Sequence, residues 1–189
     1  MRIIGGALSG RRIPEPKGGS VRPTTDRVRE ALGSLLEARD AVLGARILDL
    51  FAGTGALSFE MLSRGAESAF LVEEDRRVLA ECRRSARTLG LTIDTLAFDA
   101  FASRPFPRGL VEQAPFSLVF LDPPYARVDE LETPLGHLVH QRLLTDEAIC
   151  VVEHPKKSTP PIPTGLATIG AYRYGDTSIL LATPERDSP

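Results

Sequence analysis

The sequence of 189 residues lacks the features of several classes of protein. Its two cysteines, Cys82 and Cys150, are too few and too far apart for a disulfide framework or a zinc cluster. We find no signal peptide and no apolar run of membrane-spanning length. With 42% hydrophobic and 25% charged residues, the chain can bury a core, unlike a disordered protein. We therefore expect a globular protein of the cytoplasm that does not associate with membranes.

Lysine is also scarce, with three lysines against 20 arginines and a net charge of -2. Residues 1–25 nevertheless have a local charge of +4, because five cations face Glu15 alone. Those cations are Arg2, Arg11, Arg12, Lys17 and Arg22. Arginine binds phosphate through two parallel hydrogen bonds and stacks on bases. We predict that residues 1–23 form a basic, nucleic-acid-facing arm on a domain spanning 24–189; the alternative is a solvated charged surface.

The sequence of the arm and of the residues that follow it predicts a small hairpin and then a helix. Residues 2–13 fit two short strands around Gly5-Gly6 or Ser9-Gly10. A helix then begins near Thr24, which can cap it. The apolar stripe of this helix contains Val28, Leu32, Leu35 and Leu36, and Arg27 and Arg29 lie off it.

From residue 46 onwards, short apolar runs alternate with helical stretches. Such runs fit strands of a parallel sheet that helices cover on both sides. We predict strands at Ile47–Phe51, Ala69–Val72, Ile93–Phe98, Leu118–Leu121 and Ile149–Val152, and helices at 56–64, 76–89 and 129–142. Ala167–Tyr172 and Thr177–Thr183 flank a turn at Gly175-Asp176 and predict an antiparallel hairpin. The predicted fold class is α/β, Rossmann-like and doubly wound, with a mostly parallel sheet.

The first of these strands runs into the glycine-rich segment Asp49-Leu50-Phe51-Ala52-Gly53-Thr54-Gly55. Glycines at this place let the backbone approach a ligand, and the next helix points its amino end at that ligand. A dinucleotide fingerprint would have glycine or alanine at position 58, so Ser58 disfavours a nucleotide-dependent oxidoreductase. An acid followed by G-x-G is typical of S-adenosylmethionine sites, where Asp49 would bind the ammonium group. A glycine-rich turn without a ligand is the alternative.

Two later strands also end in acids. Glu73 lies 20 residues beyond Gly53, the spacing at which an acid binds ribose hydroxyls, although Glu74 and Asp75 leave the register open by a residue. Asp75 alternatively caps the next helix. Asp99 can accept a hydrogen bond from an adenine amino group, with Ala100 offering its backbone, or it can be a turn residue.

The strand at Leu118–Leu121 runs into Asp122-Pro123-Pro124-Tyr125. The prolines remove two backbone donors, so their carbonyls are presented without competing N–H groups. A carboxylate and a proline carbonyl can then bind both hydrogens of an exocyclic amine, and Tyr125 can stack on the ring that bears it. Such hydrogen bonds favour a pyramidal, more nucleophilic nitrogen in the transition state. We interpret this segment as the catalytic motif rather than a rigid turn.

With these motifs, the chain resembles the amino-methylating class of S-adenosylmethionine-dependent methyltransferases. More specifically it resembles the RsmD family, bacterial enzymes that methylate the N2 amine of one guanine in 16S ribosomal RNA. The resemblance is carried by Arg2-Ile3-Ile4-Gly5-Gly6, Gly10-Arg11-Arg12 and the stretch from Arg22 to Leu32, R-P-T-T-D-R-V-R-E-A-L. It runs from Arg2 to about Thr183. One departure is Gly33, where the family usually has phenylalanine, and we expect a weaker helix and a lost packing contact there.

The resemblance implies roles for three groups of residues. Catalysis is expected at Asp122, Pro123, Pro124 and Tyr125. S-adenosylmethionine contacts are expected at Asp49, Phe51, Ala52, Gly53, Gly55, Glu73, Asp99 and Ala100. RNA contacts, inferred from charge, are expected at Arg2, Arg11, Arg12, Arg22 and Arg27.

The expected partner is ribosomal RNA or the small ribosomal subunit, bound by a monomer. One open alternative is a methyltransferase that acts on a DNA base or a protein glutamine, although Asp122, where such enzymes more often have asparagine, disfavours it. The other is a non-catalytic RNA-binding assembly factor. No metal is expected, because His137, His140 and His154 lie in no ligand-rich setting. We interpret Cys82 and Cys150 as packing residues.

Overall fold

The computed structural model describes residues 1–14 and 26–185. The strands are β1 (Arg46–Asp49), β2 (Ser68–Glu73), β3 (Asp94–Ala97), β4 (Phe116–Leu121), β5 (Leu144–Pro155), β6 (Leu166–Tyr174) and β7 (Thr177–Pro184). The helices are α1 (Asp26–Glu37), α2 (Ala56–Ser63), α3 (Arg76–Leu89), α4 (Arg108–Val111) and α5 (Glu132–His140), and a 3-10 helix spans Tyr125–Glu130. The chain forms two compact units, Met1–Phe98 and Asp99–Pro189. The predicted arm boundary at 23/24 falls outside the described residues.

The first unit contains a parallel arrangement of three strands in which β2 pairs with both β1 and β3. Asp49 pairs with Leu71, and Glu73 pairs with Ala97, so the two acids stand near the same edge of these strands. Helices α2 and α3 each begin at that edge and run back towards the opposite one, as the connections between parallel strands require. This edge therefore receives the glycine-rich segment and both acids.

The amino-terminal hairpin is smaller than predicted, with a single antiparallel bridge between Arg2 and Arg12. Its two sides pair through hydrogen bonds from Ile3 N to the Arg11 carbonyl at 2.9 Å and from Ile13 N to the Met1 carbonyl at 3.0 Å, and its backbone also bonds to the end of α2. The carboxylate of Glu60 accepts hydrogen bonds from Ile4 N and Gly5 N, both at 2.7 Å. Ser63 accepts one from Leu8 N through its hydroxyl oxygen, at 2.9 Å. These contacts satisfy donors that a second strand would otherwise have to pair.

Arg64 explains why glycine stands at position 33. Its guanidinium donates to buried Glu60 and to Glu37, both at 2.9 Å. A Cβ atom on Gly33 would lie 2.6 Å from the Arg64 Cζ atom, and one on Gly5 would lie 2.4 Å from Nη2. The expectation that Gly33 loses a packing contact is therefore wrong, since the guanidinium of Arg64 occupies that space.

Arg29 also differs from the prediction. Although it lies off the apolar stripe of α1, its side chain is fully buried. It donates to the Arg2 carbonyl at 2.7 Å and to Asp26 at 2.8 Å. These two acceptors offset the cost of burying a cation, and they fasten the first residues of the chain to α1.

The second unit contains β4 parallel to β5, with β7 antiparallel to both β5 and β6. The mostly parallel sheet and the C-terminal antiparallel hairpin are thus confirmed. The predicted helix 129–142 is wrong in its bounds: the 3-10 helix directly follows Pro124, and α5 begins at Glu132. Pro134 fits there because the first turn of a helix needs no N–H from it.

Each unit has its own apolar core. In the first, Ile47, Leu48 and Leu71 are completely buried with Phe59 of α2. In the second, Leu118 and Val119 of β4 are completely buried with Val152 of β5. Within the described ranges, no helix is both long and apolar enough to cross a bilayer.

Candidate active site

The glycine-rich segment after β1 needs glycine for its backbone path. Gly53 and Gly55 adopt φ values of 50° and 75°, in the left-handed region that side chains disfavour. A Cβ atom on Gly55 would also lie 2.7 Å from the ring of Phe59 in α2. The segment can therefore present its backbone closely to a ligand at the amino end of α2, as predicted for a cofactor loop.

Asp49, the last residue of β1, is almost completely buried. Burial raises the pKa of its carboxyl group from 3.8 to about 6, although hydrogen bonds from the Ser58 hydroxyl and the Phe51 backbone oppose that rise. The Ser58 bond measures 2.7 Å. A buried carboxylate at this place favours binding of a cation, because an ammonium ion would compensate the negative charge that water no longer solvates.

Glu73 ends β2 and supports the loop directly. One carboxylate oxygen accepts a hydrogen bond from Gly53 N and the other from Asp75 N, each at 3.0 Å. Each oxygen keeps a further lone pair, so the carboxylate can still accept hydrogen bonds from two ribose hydroxyls. Asp75 itself caps α3 by accepting from Arg77 N at 2.7 Å.

Cys82 of α3 does more than fill space. Its thiol donates a hydrogen bond to the Gly53 carbonyl at 2.8 Å. Burial raises the pKa of this thiol to about 12, so the proton needed for that bond stays in place at neutral pH. Gly53 is therefore held on both sides, through its N–H by Glu73 and through its carbonyl by Cys82.

In the second unit, Asp99 forms the turn that follows β3. Its carboxylate accepts a hydrogen bond from Phe101 N at 2.9 Å, and Ala100 beside it is buried. Arg127 lies over the Phe101 ring at 3.9 Å from the centroid, and its Nη1 atom lies 3.9 Å from Asp99. The residues after Tyr125 are thereby linked to the predicted adenine-binding turn.

The Asp122-to-Tyr125 segment directly follows β4, as predicted. Asp122 is half-buried and Pro123 is buried, whereas Pro124 is exposed. The Pro124 carbonyl accepts a hydrogen bond from Arg127 N at 2.8 Å. This leaves the Pro123 carbonyl as the better candidate for binding an amine.

Tyr125 is oriented through its hydroxyl group. The hydroxyl lies 3.0 Å from Thr177 Oγ1 of β7 and 3.4 Å from buried Glu153 of β5. A hydroxyl anchored at one end holds the ring in a defined plane, which suits stacking on a planar base.

The arginines predicted to contact RNA occupy different environments. Arg12 and Arg27 are exposed, and exposed Arg2 lies 3.5 Å from Asp26. Arg11 is also exposed, and it caps the end of α3 by donating to the carbonyls of Thr88 and Leu89 at 2.7 and 3.1 Å. Arg22 lies outside the described residues.

Two of the three histidines, His137 and His154, contact nearby groups of the second unit. His137 packs edge-on against Phe106, and His154 lies 3.3 Å from the Ser158 hydroxyl. Within residues 1–14 and 26–185, no three His, Cys, Asp or Glu side chains are grouped so that they could hold a metal ion.

Sequence reasoning missed the residues that hold the predicted site residues through hydrogen bonds or charge from other parts of the chain. They are Ser58 on Asp49, Cys82 on Gly53, Arg127 beside Asp99, and Thr177 on Tyr125. The one local signal was the serine at the third position of the glycine motif, where a hydroxyl stands one helical turn from Gly55.

Comparisons with known proteins show the family to which the chain belongs. A family model described as "Conserved hypothetical protein 95" matches residues 1–183. The chain is 32% identical over 182 residues to "Putative rRNA methyltransferase YlbH" of Bacillus subtilis, covering 96% of this chain and 97% of that protein. It is 37% identical over 168 residues to "Ribosomal RNA small subunit methyltransferase D" of Escherichia coli K12, covering 86% and 79%.

Solved structures are similar over nearly the whole chain. "Putative methyltransferase yhhF" of Escherichia coli has a TM-score of 0.82 at 32% identity and covers 99% of both chains. A hypothetical protein of Thermus thermophilus has a TM-score of 0.77 at 30% identity, covering 96% of this chain and 98% of that one. These likenesses confirm the Rossmann-like methyltransferase fold class.

Proposed function

The chain belongs to the RsmD family, and from this premise we propose that it uses S-adenosylmethionine to methylate the exocyclic N2 amine of a guanine in small-subunit ribosomal RNA. The observation that carries the proposal is the Asp122-Pro123-Pro124-Tyr125 segment directly after β4, in a chain whose β1 ends in a buried acid and a glycine loop. This substrate implies that the protein works in the cytoplasm.

The residues of the first unit suit the proposed cofactor. Asp49 would bind the ammonium group, the backbone from Phe51 to Gly55 would line the methionine part, and Glu73 would accept the ribose hydroxyls. The remaining lone pairs of Glu73 and the left-handed backbone of Gly53 and Gly55 support this fit. Bound S-adenosylmethionine supplies an electrophilic methyl group on a sulfonium.

The residues of the second unit act on the acceptor and on the adenine. Asp122 and the Pro123 carbonyl would accept hydrogen bonds from the two amine hydrogens, which would orient the nitrogen lone pair for attack on an electrophilic carbon. Tyr125 stacks on a guanine turned out of its helix or loop. Asp122 or water would accept the proton that the nitrogen loses when the methyl group passes to it from the sulfonium, which would leave as a neutral thioether. Asp99 and Ala100 would receive the adenine amino group.

The first experiment measures tritiated methyl transfer to small-subunit RNA and to small-subunit particles from cells that lack this protein, and identifies the modified nucleoside by mass. We expect N2-methylguanine at one site. Incorporation at another atom would overturn the N2 assignment. No incorporation despite tight cofactor binding would overturn the RNA assignment and direct the search to DNA and protein acceptors.

Asp122→Ala tests the assigned role of the carboxylate. We expect it to abolish methyl transfer and to leave S-adenosylmethionine affinity within a few-fold, because Asp122 acts on the amine and not on the cofactor. Asp129→Ala is the matched control, since it removes an exposed acid of the adjoining 3-10 helix. A collapse of cofactor affinity in Asp122→Ala alone would contradict the assignment.

A further inference from the structure

Helix α3 has a high density of arginine on its exposed face. Its 14 residues contain five of the 20 arginines in the chain, against Glu81 as the acid within the helix. All five are exposed, namely Arg76, Arg77, Arg83, Arg84 and Arg87. Its other face packs inward through Leu79, Cys82, Ser85, Ala86 and Leu89. The helix is thus anchored on one side and strongly basic on the other.

Three of these arginines form one line along the helix. Arg76, Arg83 and Arg87 stand at positions i, i+7 and i+11, which place them within roughly 20° of a common direction at 3.6 residues per turn. We refer to them as the α3 arginine stripe. Arg84 lies beside the stripe and pairs with Glu81, whereas Arg83 donates to the hydroxyl of Thr95 at 2.6 Å. The stripe therefore presents several forked donors to solvent in one row.

The stripe connects two places that are already part of the proposed function. Arg76 follows Glu73 and Asp75, at the strand edge where the cofactor residues lie. At the other end of α3, Arg11 of the arm bonds to the carbonyls of Thr88 and Leu89. From Arg76 to Arg87 the helix rises about 17 Å, at 1.5 Å per residue.

The described part of the arm, residues 1–14, lies far from the cofactor edge within the first unit. It bonds to Glu60 and Ser63 at the end of α2, and through Arg11 to the end of α3. Both helices begin at the strand edge that carries Asp49 and Glu73, so their ends lie at the opposite edge. An RNA that reaches both the arm and the methyl donor must cross the length of α3 or an equal distance.

We propose that the α3 arginine stripe binds the phosphate backbone of the RNA substrate between the arm and the cofactor edge of the sheet. The inference rests on the proposed function, because RNA is the polyanion that this function supplies. It assigns backbone contacts to residues outside the arm, and these contacts position the RNA without reading its sequence.

The test compares Arg76→Gln/Arg83→Gln/Arg87→Gln with the wild type in binding of a small-subunit RNA fragment across a series of salt concentrations. Each lost phosphate contact reduces the slope of log affinity against log salt by about 0.7 to 1. We therefore expect a slope shallower by about 2 to 3 and weaker binding at low salt. S-adenosylmethionine affinity, measured on the same samples, should be unchanged and shows that the first unit is folded.

The matched control, Arg39→Gln/Arg108→Gln/Arg173→Gln, removes the same charge from exposed arginines elsewhere. A slope equal to the wild type in the stripe variant, or an equal change in the control, would overturn the inference. Methyl transfer by the wild type separates the two proposals. If the wild type makes N2-methylguanine while the stripe variant keeps its salt slope, only the inference fails. If the wild type binds no RNA, both fail.

Discussion

Replacing Asp49 with asparagine should stabilise the cofactor-free protein at neutral pH and abolish S-adenosylmethionine binding. Above pH 6 the folded protein holds a buried carboxylate that the unfolded chain exposes to water, because burial raises the pKa of Asp49 from 3.8 to about 6. That difference corresponds to roughly 3 kcal/mol of lost unfolding free energy at pH 7.5. Asparagine carries no charge and avoids this cost.

Part of the gain is offset by hydrogen bonding. The Asp49 carboxylate accepts from the Ser58 hydroxyl and from the Phe51 backbone, whereas the amide of asparagine has only one acceptor oxygen. Losing one such bond costs about 1 kcal/mol. The variant should therefore be more stable than the wild type by about 1 to 2 kcal/mol at pH 7.5, a stability gained at the expense of function.

The sign of the pH dependence makes the prediction specific. The folded-state pKa is raised, so the wild-type penalty is complete above pH 6 and disappears as the pH falls towards 3.8. Urea unfolding without cofactor, at pH 7.5 and pH 5, should show the advantage of Asp49→Asn shrinking by about 1 kcal/mol or more at the lower pH. A stability difference that is independent of pH would refute the reasoning. Added S-adenosylmethionine should raise the urea midpoint of the wild type but not of the variant.

Two further predictions concern Gly33 and Tyr125. Gly33→Ala should destabilise the protein by about 1–3 kcal/mol in urea unfolding, against the usual helix preference for alanine, because the added methyl group displaces Arg64. In the control Gly136→Ala the new Cβ atom has no contact closer than 3.8 Å, so this variant should be as stable as the wild type or more stable. Equal changes in unfolding free energy in the two variants would contradict this explanation. Tyr125→Phe should keep methyl transfer within about tenfold, whereas Tyr125→Ala should weaken RNA binding by about 5-fold to 150-fold through lost stacking. RNA affinity is measured for both variants. If Tyr125→Phe lost as much RNA affinity as Tyr125→Ala, the hydroxyl and not the ring would be responsible for the contact.

The alternation of apolar runs and helical stretches predicted the parallel strands well. The strand bounds differ by a few residues. β5 begins at Leu144, which pairs with Phe116 of β4, and it continues to Pro155 because its pairing with β7 extends beyond the apolar run. Helical periodicity did not predict the burial of Arg29, because this residue lies off the apolar stripe of α1. Its burial depends on the Arg2 carbonyl and on Asp26, and only the folded chain brings that carbonyl beside α1.

The candidate site divides in the same way. Asp49, Gly53, Glu73 and Asp122 could be predicted because the carboxyl ends of strands are where α/β folds bind ligands. Their supports could not, since the thiol of Cys82 reaches Gly53 across 29 positions and Thr177 reaches Tyr125 across 52. No local pattern encodes a hydrogen bond between residues so far apart in the chain.

By itself, the sequence determined that short strands run into the glycine-rich segment, the acids and the D-P-P-Y motif, and where glycine is needed, because those are properties of a few neighbouring residues. The tertiary structure decided how those residues are held and which arginines stay available. Arg11, for which RNA contact stays a prediction, is exposed and also caps α3, and the five arginines of α3, for which the sequence predicted no role, are exposed. The physical reason is that a guanidinium binds the nearest set of carbonyls or carboxylates, and the fold alone determines which acceptors are near.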